Sequence, residues 1–236
     1  MKLMEPTYSY LLINVLAIFF PLILSFDKRV AFYKKWRYLY PAILIPAIIF
    51  ILWDIAFTAM GIWGFNERYL TGINVVNLPL EEVLFFITIP YACVFTYEVI
   101  KVYFPGFIPG RRTTGYIYSV LALLLLLTTL IPHWRNYTDI TFILLSAWLV
   151  YLLIKKEYPV MQHFLPAYGI IFFPFLIVNG ALTGTGFEEP IVWYNNTEIL
   201  SIRLLTIPVE DIFYGMLLIL ANVYIFEKLQ SAHEKT

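Results

Sequence analysis

Charge is what this chain has least of. Of 236 residues only 14% are Asp, Glu, Lys or Arg, and 61% are hydrophobic, whereas a soluble domain is about a quarter charged. Net charge is zero, which leaves no basic surface for nucleic acid. The single cysteine, Cys93, excludes an internal disulfide and any Cys-rich metal site. Three histidines (His133, His163, His233) are too far apart for a ligand spacing such as HExxH. There is no GxGxxG, no phosphate loop, and no DxxxD-type pair to hold magnesium and a pyrophosphate. The first apolar run lacks a strong basic n-region and a small-residue cleavage site, so it reads as a retained helix. The last apolar run has no lysine, which excludes a retinal Schiff base there. No Ser/Gly-rich linker divides the chain.

What is present is hydrocarbon-spanning length. A spanning helix needs roughly 17–25 apolar residues, and seven runs qualify: 8–26, 38–60, 79–104, 115–131, 139–154, 164–182 and 206–226. The fold class expected is an all-α, polytopic integral membrane protein with seven transmembrane helices. Prolines 21, 46, 90 and 174 fall inside these runs; bundled membrane helices tolerate them because neighbours satisfy the freed carbonyls. The loops between odd and even helices hold twelve Lys and Arg on one side (Lys28, Arg29, Lys34, Lys35, Arg37, Lys101, Arg111, Arg112, Lys155, Lys156, Lys228, Lys235). The other side holds four (Lys2, Arg68, Arg135, Arg203). By the positive-inside rule, the N-terminus is expected outside a plasma membrane and the C-terminus in the cytoplasm.

Two segments are nearly interchangeable. "LPLEEV" at 78–83 aligns with "IPVEDI" at 207–212, position by position, at an offset of 129. Upstream, Asp54 and Asn179 each stand seven residues before a glycine, Gly61 or Gly186. Copies at about 1–104 and 132–230 are therefore expected, joined by the helix at 115–131. An offset of four helices makes the repeat parallel, about an axis along the membrane normal. It brings Asp54, Glu81, Glu82, Glu210 and Asp211 to one layer.

Each isolated ionisable group at a helix centre is costly in lipid, by roughly 2.5–3.5 kcal/mol on insertion scales. No Lys or Arg lies in helices 2, 3, 6 or 7 at that depth, so several of the acids are expected to be protonated or to share protons. A neutral carboxylic acid beside a carboxylate is general acid–base equipment. A plainer reading stands next to it: acids favour the positive end of a helix dipole and proline suits a first turn. Two matched copies with Asp54 and Asn179 at the same level favour chemistry. The aromatics Trp53, Trp63, Phe85, Phe86, Trp193, Tyr194, Phe213 and Tyr214 gather at this level too. Trp63 and Trp193 read as an interfacial belt. Phe85, Phe86, Phe213 and Tyr214 read equally as pocket lining, where aromatic faces stabilise cations, or as packing. Asn136-Tyr137-Thr138 and Asn195-Asn196-Thr197 match the glycosylation pattern, which is short and frequent by chance.

"LPLEE" and "IPVED", with "WD" at Trp53–Asp54 and "VNGALTG" before the second motif, resemble the paired PxE(E/D) motifs of the membrane-integral lycopene cyclases. These include a heterodimeric type of some bacteria and a fused type of archaea, fungi and other bacteria; this chain resembles the fused type over nearly its whole length. The resemblance implies lycopene β-cyclase activity: closure of the open ψ-ends of lycopene into β-rings, giving γ-carotene and then β-carotene, with no net redox change and no cofactor. The substrate expected is lycopene or a related ψ-end carotenoid dissolved in the bilayer. Partners beyond it are a second copy of the chain or other enzymes of carotenoid synthesis. In the site so implied, Glu81 and Glu210 are central, Glu82 and Asp211 tune proton sharing or act as base, and Asp54 orients or relays. Asn179 is its uncharged counterpart, and Trp53, Phe85, Phe86, Phe213 and Tyr214 line the substrate site. The competing readings are a proton-coupled transporter and a non-catalytic carotenoid- or lipid-binding protein.

Overall fold

A computed structural model describes residues 6–131 and 135–233. Lys2, His133, Lys235 and the extreme ends of the expected copies lie outside the described residues. Among the described residues there are seven α-helices: α1 (Ser9–Leu24), α2 (Trp36–Ala59), α3 (Leu80–Tyr103), α4 (Arg111–Thr129), α5 (Asn136–Ile154), α6 (Tyr158–Leu182) and α7 (Val209–His233). This is an all-α polytopic membrane protein. Six of these helices are long and apolar enough to cross a bilayer. The seventh, α1, has 16 residues, about 24 Å at 1.5 Å per residue, and packs along α3.

Helices α2, α4, α5 and α6 begin earlier than their apolar runs. α5 opens at Asn136 rather than 139, α6 at Tyr158 rather than 164, and α4 at Arg111 rather than 115. The first turns of α4 and α5 are polar, and α6 has Gln162 and His163 ahead of its apolar stretch, so hydropathy does not register these starts. α7 continues past 226 to His233 and so contains Lys228, contrary to the expectation of a helix without lysine. That lysine sits at the far end from the acids and pairs with Glu157 at 2.5 Å.

Helices α3 and α7 form the centre. α3 packs on α1, α2, α6 and α7, and α7 packs on α2, α3, α5 and α6. The pairing of α1 with α3 recurs as α5 with α7, that of α2 with α3 as α6 with α7, and that of α2 with α7 as α6 with α3. α4 packs on α5 and α6. The starts of α1, α3, α5 and α7 thus meet the ends of α2 and α6 at one end of the bundle. At the other end Glu98, fully buried, is held between Lys35 and Lys101, and Lys101 also pairs with Glu227.

Among the described residues, the acid-bearing end is closed by six short strands that the apolar pattern does not register: β1 (Trp63–Phe65), β2 (Asn74–Val75), β3 (Leu78–Pro79), β4 (Val192–Tyr194), β5 (Arg203–Leu204) and β6 (Ile207–Pro208). β1 pairs antiparallel with β4, and Gly64 faces Trp193, the residue 129 further on. The flanking bonds mirror each other: Asn66 N–H donates to the Ile191 carbonyl (2.9 Å) and Asn195 N–H to the Ile62 carbonyl (2.8 Å). The ladder is therefore centred on an approximate two-fold axis between the halves. Gly64 is required there, since a Cβ would lie 2.3 Å from the Trp193 ring.

Strands β2 and β3 form one tight hairpin, β5 and β6 another, in identical register 129 apart. Both turns place a bulky residue in the left-handed region, Val76 at φ 61° and Leu205 at φ 58°. A non-glycine residue there costs roughly 1–2 kcal/mol. Pro79 and Pro208 end the hairpins and precede the first helical residues, Leu80 and Val209. They stand one position before the first turn, where a strand partner is needed and an N–H is not.

Candidate active site

The first turns of α3 and α7 each carry two adjacent acids. Successive residues on a helix point about 100° apart, so the two members of each pair cannot serve one cavity. The second member of each faces inward. Glu82 and Asp211 line a chamber of about 80 Å³ between the halves, together with Asp54 from α2 and Asn179 from α6. All four are buried.

Glu82 accepts a hydrogen bond from the Tyr10 hydroxyl at the start of α1, and the Asp54 carboxyl lines the same chamber. Two carboxyl groups in one buried space disfavour double ionisation, which favours a proton held between them. Asp54 Oδ1 also accepts from Trp63 Nε1 (2.5 Å) and Thr58 Oγ1 (3.1 Å). In the other half, Asp211 accepts from three neutral donors: the Tyr137 hydroxyl (2.6 Å), Asn179 Nδ2 (2.7 Å) and the Tyr194 hydroxyl (3.0 Å). Burial first, and then the neighbouring Asp211 charge, hold the Tyr194 hydroxyl well above the usual tyrosine range, so it remains a donor.

The halves correspond without being identical. Tyr10, Glu82 and Asp54 on one side answer to Tyr137, Asp211 and Asn179 on the other, and at the 129-residue offset Phe65 answers to Tyr194, which bonds Asp211. Where the first half sets two carboxyls in the chamber, the second sets a carboxyl against an amide. The remaining walls are apolar or aromatic, including Phe65, Phe85, Ile89, Phe175 and Tyr214. Among the described residues, no Lys or Arg lines the chamber.

Glu81 and Glu210, expected at the centre, do not line it. Glu81 Oε1 accepts from the backbone N–H of Thr71 (2.7 Å), and Glu210 Oε1 accepts from that of Leu200 (2.7 Å) and from Thr138 Oγ1 (2.6 Å). Both are fully buried, and each fastens the loop that leads into its hairpin. Among the aromatics, Phe85 and Tyr214 line the chamber. Trp53 packs behind it, edge-on to Tyr214 with centroids 5.1 Å apart. Phe86 lies in the core against Phe50 (6.3 Å), and Phe213 packs on Phe142 (5.1 Å). Trp63, read as belt, is buried and turned inward onto Asp54, while Trp193 is half exposed over Gly64. Tyr10 and Tyr137 were not singled out by the sequence. Their signal is weak: each is the second residue of its helix, 127 positions apart.

A protein-family model, that of lycopene cyclase, matches residues 7–100 and 134–229. The first segment ends within α3 and the second within α7, so each takes in one acid-bearing hairpin and the start of its helix. No curated protein and no solved structure matches. With both halves of the chamber inside the matched segments, which together cover most of the sequence, the chain belongs to the lycopene cyclase family.

Proposed function

We propose that this lycopene cyclase is a β-cyclase in which the Asp54–Glu82 pair delivers a proton and Asp211 stabilises the cation and assists proton removal. The two halves act as copies of one three-helix unit, joined by α4, that share a single chamber. The observation that carries the reading is the unequal surroundings of the acids. Asp54 and Glu82 line one buried chamber, which favours a proton shared by the two carboxyls. Asp211 is surrounded by donors alone, which suits an ionised carboxylate.

The reaction follows in three balanced steps. The shared proton is added to the terminal alkene of the ψ-end, leaving a tertiary cation and a carboxylate on the Asp54–Glu82 pair. The double bond further along the chain attacks that cation and closes a six-membered ring, moving the positive charge to a ring carbon. Loss of a proton from the adjacent ring carbon gives the β-ring, and that proton returns to the protein. An alkene is a weak base, so the barrier falls chiefly through preorganised stabilisation of the cation. The Asp211 charge and the faces of Tyr214 and Phe85 are placed for that. A single chamber acts on one end of a carotenoid at a time, so both ends require two visits.

Expression in cells that accumulate lycopene, followed by chromatography of the pigments, tests the activity; β-carotene or γ-carotene is expected, and unchanged lycopene overturns it. Carried out in D₂O, the reaction is expected to leave a single deuterium per ring on the carbon first protonated.

A further inference from the structure

We infer that the two hairpins at residues 73–80 and 202–209 dip into the bilayer on the acid-bearing side, with their tips among the lipid acyl chains, and fix the depth of the chamber. The inference does not depend on which reaction the chamber performs.

Each tip is apolar and exposed. Val76 is 77% and Leu205 71% accessible, and Ile73 and Ile202 at the hairpin bases are 57% and 60% accessible. These four residues occupy matching places 129 apart. The turn position taken by Val76 and Leu205 has positive φ and ordinarily takes glycine. A strained backbone that presents a large apolar side chain to water loses on both counts. Presented to hydrocarbon, the side chain loses nothing by exposure, and its bulk becomes contact area.

The hairpins also bend back along the helices instead of rising away from them. Asn77 Nδ2 donates to the Ile55 carbonyl at 2.9 Å. Ile55 stands four residues before the end of α2, about 6 Å inside it. Thr206, the equivalent of Asn77, hydrogen-bonds the carbonyl of Gly180 in α6 (3.3 Å) and the Thr183 hydroxyl (2.7 Å). Ile55 and Gly180 directly follow Asp54 and Asn179, so both tips are pinned at the level of the chamber. One turn below the anchoring carbonyls, on the same helix faces, lie Leu52 (62% exposed) and Ile177 (75%). The tips therefore continue the apolar strip of two spanning helices. The one charge in the hairpins, Arg203, is turned back onto the Thr206 carbonyl (2.8 Å) and Asn196 (3.1 Å). Because β3 and β6 run directly into α3 and α7, a tip held in lipid holds Glu82 and Asp211 at a set depth.

The test places an environment-sensitive fluorophore on Val76→Cys and on Leu205→Cys in proteoliposomes, with Glu188→Cys, at an exposed carboxylate paired with Arg68 in the loop between α6 and β4, as an aqueous reference. Cys93 is buried and need not be replaced. The expected result is blue-shifted emission at both tips, quenched by spin labels on the upper acyl chain and insensitive to iodide, with the reverse at Glu188. Water-like emission quenched by iodide at the tips overturns the inference. The same cysteines in opened native membranes provide a second measurement that needs no purification. Maleimide reacts with the thiolate, which forms only in contact with water, so a membrane-impermeant maleimide is expected to label the tips far more slowly than Glu188→Cys. Equal labelling rates overturn it.

Discussion

Asn179 donates to Asp211 across 2.7 Å, in the place where the other half sets the Asp54 carboxyl in the same chamber as Glu82. Among the differences between the halves, one bears on proton transfer: an amide nitrogen on one side, a carboxyl oxygen on the other. The chemistry we assign to the chamber turns on that difference.

Asp54→Asn makes the first half like the second. It keeps shape and an acceptor for Trp63 but removes one of the two groups that share a proton. Ring formation is expected to fall by about 10²–10⁴-fold, the usual range for losing a general acid, while the protein stays in the membrane. Pigment analysis beside membrane immunoblots checks it; undiminished cyclisation would mean the proton comes from elsewhere.

The adjacent acids are expected to separate by function. Glu82→Gln and Asp211→Asn should lose cyclisation by a similar factor, roughly 10²–10⁴. Glu81→Gln and Glu210→Gln keep an oxygen for the Thr71 and Leu200 N–H groups and should retain most activity. Glu81→Ala and Glu210→Ala free the loops and should lower thermal stability, each by about 1–3 kcal/mol for a buried donor left unpaired. Activity profiles of the six variants decide the matter, and loss of activity in both Gln variants would return Glu81 and Glu210 to the chemistry.

At the opposite end of the bundle, the cost of mutation should be lopsided. Removing both Lys35 and Lys101 strands Glu98, which is fully buried, and should destabilise by about 3–5 kcal/mol. Glu98→Gln leaves lysines that are partly exposed and can turn to water, so its effect should be smaller. Thermal unfolding in detergent compares the two, and equal losses would contradict the burial argument.

Gly64→Ala is expected to push Trp193 off the central ladder, because the new Cβ would stand 2.3 Å from the indole. Overpacking of this kind costs about 1–3 kcal/mol. Trp193→Ala should remove most of that penalty in the double variant; a penalty unchanged in the double variant would place the strain in the backbone.

The seven helices were legible because lipid leaves a long, low-resolution signature, and runs of apolar residues survive errors of several residues at each end. The site was legible in composition but not in direction. Spacing brought Asp54, Glu82, Asp211 and Asn179 to one level, yet the 100° step between neighbours, which turns Glu81 and Glu210 away from the chamber toward the buried loop backbone, depends on how α3 and α7 are rotated in the bundle. Tyr10 and Tyr137 were hidden because a tyrosine in a first helical turn is ordinary at a membrane interface; only their partners distinguish them. The strands escaped notice because two- and three-residue segments have no period to detect, and β1 finds β4 across more than half the chain.

The two-fold ladder at Gly64 and Trp193 carries a further implication. Two identical half-length subunits meeting at such an axis would have to present every group twice, so an acid on one side would demand the same acid on the other. Placing both sides on a single polypeptide lifts that demand. The second half can then surrender a carboxyl for an amide without the first half following, and a proton source can face a proton sink within one enclosure.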